Sequence, residues 1–223
     1  MNKCSTIIPA AGIGNRFGSN LPKQFLNLGD MTIIEHTVNL FYENENIYKI
    51  IITVNPEWLK FIKELFSKKN YNNKLEFIIG GKERQDSVYN ALNSEFVKNS
   101  EFTLVHDAVR PYASNLLINN IIDAAKIYSA AIPAIKLKDT IKSIDYDDFV
   151  LETLNRAYLR KIQTPQGFKT EILINSYKKA YEADFYSTDD SSLVEWAGYK
   201  VKVIDGEEKN IKITTKEDLT ISL

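Results

Sequence analysis

Short apolar runs recur along this chain, each separated from the next by a stretch with the spacing of an amphipathic helix. Runs at Thr6–Pro9, Lys49–Val54, Leu75–Ile79, Phe102–His106, Ala130–Ile135 and Lys200–Ile204 are too short for buried helices and predict strands. The patterns over Thr32–Tyr42, Glu57–Lys68, Ser87–Phe96, Leu116–Tyr128, Glu171–Ala183 and Ser191–Ala197 predict helices. In the fourth of these, Ile118, Ile121, Ile122 and Ala125 fall three and four residues apart, on one helical face. Strand and helix alternating in this way can bury their apolar faces as βαβ units around a mainly parallel sheet. Ligands of such sheets bind where loops converge at the carboxyl ends of the strands.

One segment departs from the alternation. From Asp139 to Arg156 the chain carries two short β-like runs around Tyr146-Asp147-Asp148, with no helix after the first. This predicts a hairpin. An isolated two-stranded hairpin is marginal in water, so it needs a surface to pack on: a second subunit or the chain's own body.

Composition narrows the function. The formal net charge of the 223 residues is −1, which argues against a broad nucleic-acid surface. Cys4 is the single cysteine, and His36 and His106 are the only histidines, too few for a disulfide framework or a Cys/His zinc cage. No secretory leader and no membrane-length apolar run is visible, so the expectation is a soluble cytoplasmic protein with no membrane partner. No repeat or linker divides the sequence, and residues 1–223 are expected to form one domain. Lysine and arginine together number 28, yet only Arg16, Arg84, Arg110, Arg156 and Arg160 are arginine. A chain that defaults to lysine can reserve the flat guanidinium fork for phosphate or carboxylate.

The most informative stretch follows the first run: PAAGIGNRFGSNLPKQF, Pro9 to Phe25, with Gly12, Gly14 and Gly18. Glycine-rich turns bring backbone amides close to phosphate oxygens. The spacing is neither that of a P-loop nor that of a dinucleotide fingerprint, and a loop of this kind alone is either a tight turn or a phosphate cradle. Arg16 and the Pro22-Lys23-Gln24 unit favour phosphate, and two added cations suit a triphosphate.

This stretch resembles the signature loop of nucleotidyltransferases that activate sugar or polyol phosphates. It is most similar to the 2-C-methyl-D-erythritol 4-phosphate cytidylyltransferase family of non-mevalonate isoprenoid synthesis. GGKERQDSV (Gly80–Val88), VHDAVRP (Val105–Pro111), QTPQGF (Gln163–Phe168) and NIKITTKEDL (Asn210–Leu219) match the same family in order, across almost the whole chain. The resemblance implies an α/β, Rossmann-like three-layer nucleotidyltransferase fold with a mainly parallel sheet and a protruding β-hairpin arm. It further implies that CTP and methylerythritol phosphate give the CDP-alcohol and pyrophosphate, with Mg2+ or another divalent cation, in a homodimer joined through the 139–156 arm.

The chemistry such a reaction demands is electrostatic. The nucleophile, a phosphate oxygen, is already ionised near neutral pH because its second pKa is about 6, so no general base is required. What is needed is to bring two polyanions together and stabilise the charge that develops. By resemblance, Arg16 and Lys23 stabilise the transition state. The resemblance implies a CTP site made of Ala10, Ala11, Gly12, Gly14, Arg16, Lys23, Gly80, Gly81, Ser87 and Asp107. The amides of Gly80 and Gly81 are expected to be free for the base edge, and Ser87 to face cytosine. Lys82 stands where some relatives carry an acidic residue. Asp107 is expected to hold ribose or the metal ion. Arg110, Thr140, Arg156, Thr164 and Lys212 are expected around the polyol phosphate; Arg156 would reach the neighbouring subunit's site, and Arg156 and Lys212 would position the acceptor for attack. Arg84, Asp189, Asp190 and His106 read as structural. Two alternatives are a ribitol 5-phosphate cytidylyltransferase and a non-catalytic nucleotide-binding protein of the same fold.

Overall fold

The computed structural model of the chain describes residues 3–12, 21–71, 73–215 and 217–220. Strand β1 (Cys4–Pro9) is followed, among the described residues, by a 3-10 turn, Lys23–Phe25, and then by a two-residue pairing of β2 (Asn27–Leu28) with β3 (Met31–Thr32). Then follow α1 (Ile33–Tyr42), β4 (Ile47–Val54), α2 (Leu59–Ser67), β5 (Leu75–Ile79), α3 (Arg84–Leu92), α4 (Glu95–Lys98), β6 (Phe102–Val105), α5 (Asn115–Tyr128) and β7 (Ala130–Lys136). The arm contains β8 (Lys142–Ile144) and β9 (Val150–Thr153). The chain returns through β10 (Arg160–Ile162), β11 (Gln166–Lys169), α6 (Thr170–Glu182), α7 (Asp190–Trp196), β12 (Lys202–Asp205) and α8 (Glu217–Thr220).

The central sheet has eight strands in the order β10-β7-β11-β6-β1-β4-β5, with β12 pairing β7. Strands β6, β1, β4 and β5 run parallel, whereas β11 is antiparallel to both β6 and β7. Side chains on a strand alternate between faces, and here both faces are covered. Ile8, Ile50 and Ile52 pack with Val38, Phe41, Ile62, Ile118 and Ile121 from α1, α2 and α5. Ile7 and Ile51 point the other way, into a core with Val88, Leu173, Tyr177 and Leu193 from α3, α6 and α7. This double burial makes β1 and β4 read as continuous apolar runs.

Local chemistry sets the helix starts. Thr32 and Glu35 form a reciprocal capping box at α1, and Ser114 Oγ accepts from the Leu117 amide at α5. Two sequence expectations shift. The helix expected over Ser87–Phe96 is two helices, because Ser94 turns out of α3 and caps α4 by accepting from Phe96 N at 3.2 Å. Strands β10 and β11, flanking Thr164-Pro165, add to the central sheet two strands that the apolar runs do not predict.

The arm forms as expected. Strands β8 and β9 pair antiparallel in a sheet of their own, apart from the central one. Ile144, Tyr146, Phe149, Val150, Leu151 and Tyr158 on and beside it are all exposed, with Tyr146 fully so.

Candidate active site

Four loops meet at the carboxyl ends of the parallel strands. The first continues β1: the Ala10 amide donates to Thr53 O at 2.8 Å, so the strand ladder runs one residue further before the glycine loop opens. Gln24 then ties the loop down, its amide nitrogen donating to Ala10 O at 2.7 Å and to Gly12 O at 3.0 Å. Gln24 belongs to the same single turn as Lys23. Phe25 anchors that turn by packing 5.5 Å from the Trp58 ring and 5.1 Å from Phe61, centroid to centroid. Lys23 is therefore held against the loop mouth by apolar packing on one side and a polar latch on the other. Gly14, Arg16 and Gly18 lie outside the described residues.

The second loop follows β5, and here one expectation is corrected. The Gly80 amide donates to Val54 O at 2.8 Å and the Gly81 amide to Ser87 Oγ at 3.1 Å, so neither is free to read a base. Ser87 Oγ in turn donates to Glu83 O at 3.1 Å, which closes the turn on itself. Both glycines are required by close approach. A methyl at Gly80 would sit 2.4 Å from Ala11 Cβ, and one at Gly81 would sit 2.2 Å from Asp86 Cβ.

The third loop follows β6 and presents Asp107. The Asp107 amide donates to Thr164 Oγ1 at 3.0 Å, and the same hydroxyl meets His106 Nδ1 at 3.0 Å. Burial pushes the His106 imidazole down to about 4, so at neutral pH it is uncharged. A neutral ring then donates from Nε2 to Arg110 O at 3.0 Å and accepts the Thr164 proton at Nδ1. His106 is thus consumed as a brace, as its sequence setting suggested.

The fourth loop brings Lys212 in from far along the chain. The Ile213 amide donates to Val109 O at 2.9 Å, and Ile213 is buried with Leu28, Ile33 and Val109. That pin carries Lys212 Nζ to 3.1 Å from Asp107 Oδ2. Two further cations share the carboxylate: Arg110 Nε at 3.1 Å from Oδ2 and Arg84 Nε at 3.7 Å from Oδ1. Burial alone would raise Asp107, but Arg84, Lys212 and Arg110 together hold it far below the usual carboxylate range. Arg110 is fixed a second time by donating to Asn210 O at 2.9 Å.

Two cavities open on this cluster. One, of about 360 Å³, is lined by Ala10, Ala11, Gly12, Lys23, Gly81 and Ser87, with Lys82 at an exposed position. The other, of about 350 Å³, is lined by Arg110, Gln163, Thr164, Gln166, Thr188 and Ser192. Arg84, Asp107 and Lys212 line both, and so form the wall between them. The residues expected at CTP, other than Gly14, Arg16 and Gly80, line the first cavity. Gly80 lies beside it, against Ala11 and Ser87. Of those expected at the polyol phosphate, Arg110, Thr164 and Lys212 line the second. Thr140 and Arg156 do not join them: both are exposed at the base of the arm, where Arg156 Nη1 donates to Lys138 O.

Sequence reasoning named Gln24 only as part of the Pro22-Lys23-Gln24 unit, without its latch on the loop, and did not assign Gln163, Thr188 or Asn210 to the site. Nor did it give Arg84 a place there, although the scarcity of arginine was the available signal. Among the described residues, no three His, Cys, Asp or Glu side chains gather into a metal cage, and no helix is long and apolar enough to cross a membrane.

The family model described as 2-C-methyl-D-erythritol 4-phosphate cytidylyltransferase matches residues 4–222. A protein of that name from Bacillus mycoides is 43% identical over 216 residues, 97% of this chain and 94% of its own length. A second, from Clostridioides difficile, is 42% identical over 219 residues, 98% of this chain and 91% of its own. Among solved structures, 4-diphosphocytidyl-2C-methyl-D-erythritol synthase from Anaerococcus prevotii superposes with a TM-score of 0.86 at 36% identity, covering 98% of this chain and 93% of that one. The Francisella tularensis 2-C-methyl-D-erythritol 4-phosphate cytidylyltransferase gives 0.83 at 33% identity, covering 99% and 98%.

Proposed function

Because the chain belongs to the 2-C-methyl-D-erythritol 4-phosphate cytidylyltransferase family, we propose a division of labour between its two cavities. The enzyme transfers the cytidylyl group of CTP to 2-C-methyl-D-erythritol 4-phosphate, in isoprenoid precursor synthesis. An oxygen of the acceptor phosphate attacks the α-phosphorus of CTP, the bond from that phosphorus to the bridging oxygen breaks, and pyrophosphate leaves. The observation that carries the assignment of cavities is the wall they share: Lys212 lines both, so two phosphates entering from opposite sides meet at one cation.

The first cavity takes CTP. Its glycine loop and Lys23, with Arg16, face the triphosphate and stabilise the charge that builds on the transferring phosphoryl group. With the Gly80 and Gly81 amides spent inside the protein, the turn can offer cytosine carbonyl oxygens, acceptors for its amino group. Base reading through the main chain leaves the Lys82 side chain without a part in selecting it. Asp107 accepts from a ribose hydroxyl. A dication would be repelled there by three neighbouring cations, so the residues present do not fit a protein-held metal site. Magnesium accordingly enters as part of the substrate, MgCTP, liganded mainly by phosphate oxygens.

The second cavity takes methylerythritol phosphate, with Arg110 and Lys212 supplying positive charge. Arg156 and Thr140 complete it from the arm of a second copy of the chain in a homodimer. The exposed apolar side chains of the arm support that arrangement, since a two-stranded hairpin alone is marginal. Residues 1–223 work as one cytidylyltransferase domain, in the cytoplasm.

Pyrophosphate release tests the reading. Rapid release is expected with MgCTP and methylerythritol phosphate, and little with ribitol 5-phosphate. Equal turnover of ribitol phosphate would overturn the acceptor assignment, and silence with both would favour a non-catalytic binder. A second result follows from the crowding at Gly80. Gly80→Ala should raise the KM for CTP about tenfold while kcat changes less, because the added methyl drives the base turn away from Ala11. Steady-state kinetics at saturating acceptor would show it; an unchanged KM would mean that the two loops need not touch.

A further inference from the structure

We propose that Asp190 and Arg84 act as a positioning pair that fixes the Asp107 carboxylate in the wall between the cavities, so that Lys212 can leave it for substrate phosphate. The inference rests on the reading of the two cavities given above. Three cations surround Asp107, and they differ in freedom. Arg110, with a side chain only 8% exposed, is tied to Asn210 O as well as to Asp107. Lys212 is 42% exposed and holds Asp107 from the solvent side. Arg84 lies between these extremes at 29% exposed, and it is gripped from behind.

The grip is Asp190. Its carboxylate is wholly buried, receives Arg84 Nη2 at 2.6 Å on one oxygen and receives Tyr177 Oη at 2.5 Å on the other. Burial opposes charge on Arg84, yet the carboxylates of Asp190 and Asp107 more than offset that and hold it firmly protonated. A buried aspartate that lines neither cavity therefore dictates where the guanidinium stands, and Arg84 lines both cavities.

The consequence concerns Lys212. An incoming phosphate competes with Asp107 for its ammonium. With Arg84 and Arg110 remaining, Asp107 keeps its counter-charges and its place when Lys212 swings away. Without Arg84, the carboxylate holds Lys212 harder and sits less rigidly, and both cavities lose their shared wall. Asp190 and Arg84 are thus positioning residues that act through Asp107 and Lys212.

Steady-state kinetics with each substrate varied in turn separates this role from a purely structural one. Arg84→Gln and Asp190→Asn are each expected to raise the KM for both substrates at least about fivefold and to lower kcat roughly tenfold. The double variant should be no worse than the worse single one, because residues acting as a unit are not additive. Unchanged KM values, with a kcat loss that tracks the fraction of folded protein, would overturn the inference, and so would losses that multiply in the double variant. Should either variant fail to fold, Arg84→Lys carries the test: it keeps the charge but cannot bridge two carboxylates. The same joint rise in KM is expected, and wild-type values would overturn the proposal. Wild-type protein that releases no pyrophosphate from these substrates would instead overturn the functional reading beneath it.

Discussion

Lys23→Ala lowers kcat by about 10²–10³-fold while raising the KM for CTP less than about fivefold, if the lysine acts on the transition state rather than on bound nucleotide. The structure motivates the asymmetry. Lys23 sits in a short turn held by the Gln24 latch and by Phe25 in its aromatic pocket, so its stem is preorganised at the mouth of the glycine loop. A preorganised cation contributes most where charge develops, because no reorganisation is needed as the bond forms. Initial-rate measurements over a matrix of CTP and acceptor concentrations give both constants. A variant that loses CTP affinity and keeps its turnover would reduce Lys23 to a binding contact and move the catalytic burden to Arg16 and Lys212.

The second large effect concerns the arm. Arg156→Ala should lower kcat/KM for methylerythritol phosphate by about 10²-fold, with the KM for CTP little changed, as expected for loss of one charged contact to a phosphate. The informative experiment mixes this variant with Arg16→Ala. If each site is built from one chain's body and its partner's arm, half of the dimers are mixed after exchange, and one of the two sites in each mixed dimer is complete. Activity should then recover to about a quarter of the wild-type level in a symmetric dimer. No recovery would mean that each chain supplies both residues to its own site. Sedimentation of the same samples gives the dimer directly.

Much of the fold and of the site is legible in the sequence. The sheet could be read because Ile7, Ile8, Ile50, Ile51 and Ile52 are buried on both faces, which leaves unbroken apolar runs. The hairpin could be read because its two runs flank a turn with no helix between. The glycine loop, Asp107 and Lys212 could be placed because each belongs to a compact local motif. Strand β10 escaped because it is three residues long and begins on exposed Arg160 and Lys161, and β11 escaped because it begins on Gln166, a buried polar residue satisfied by Asp189 far along the chain. The same reason hid Arg84: its partner Asp190 lies 106 residues away, and no spacing rule joins two charges at that distance. The amides of Gly80 and Gly81 misled for a third reason. Glycine permits close approach to anything, and here the neighbours approached are Ala11 and Asp86.

On the proposed assignment of the two cavities to the two substrates, the lysine common to both has a thermodynamic consequence. A cation that two anions share can neutralise only one of them fully, so each substrate, once bound, leaves a less positive site for the other. Such interference is reciprocal: whatever CTP does to the affinity for the acceptor phosphate, the acceptor phosphate does to CTP by the same factor. The affinity of either cavity is therefore a property of the pair, and an anionic inhibitor lodged in one of them would weaken the hold of the other without touching it.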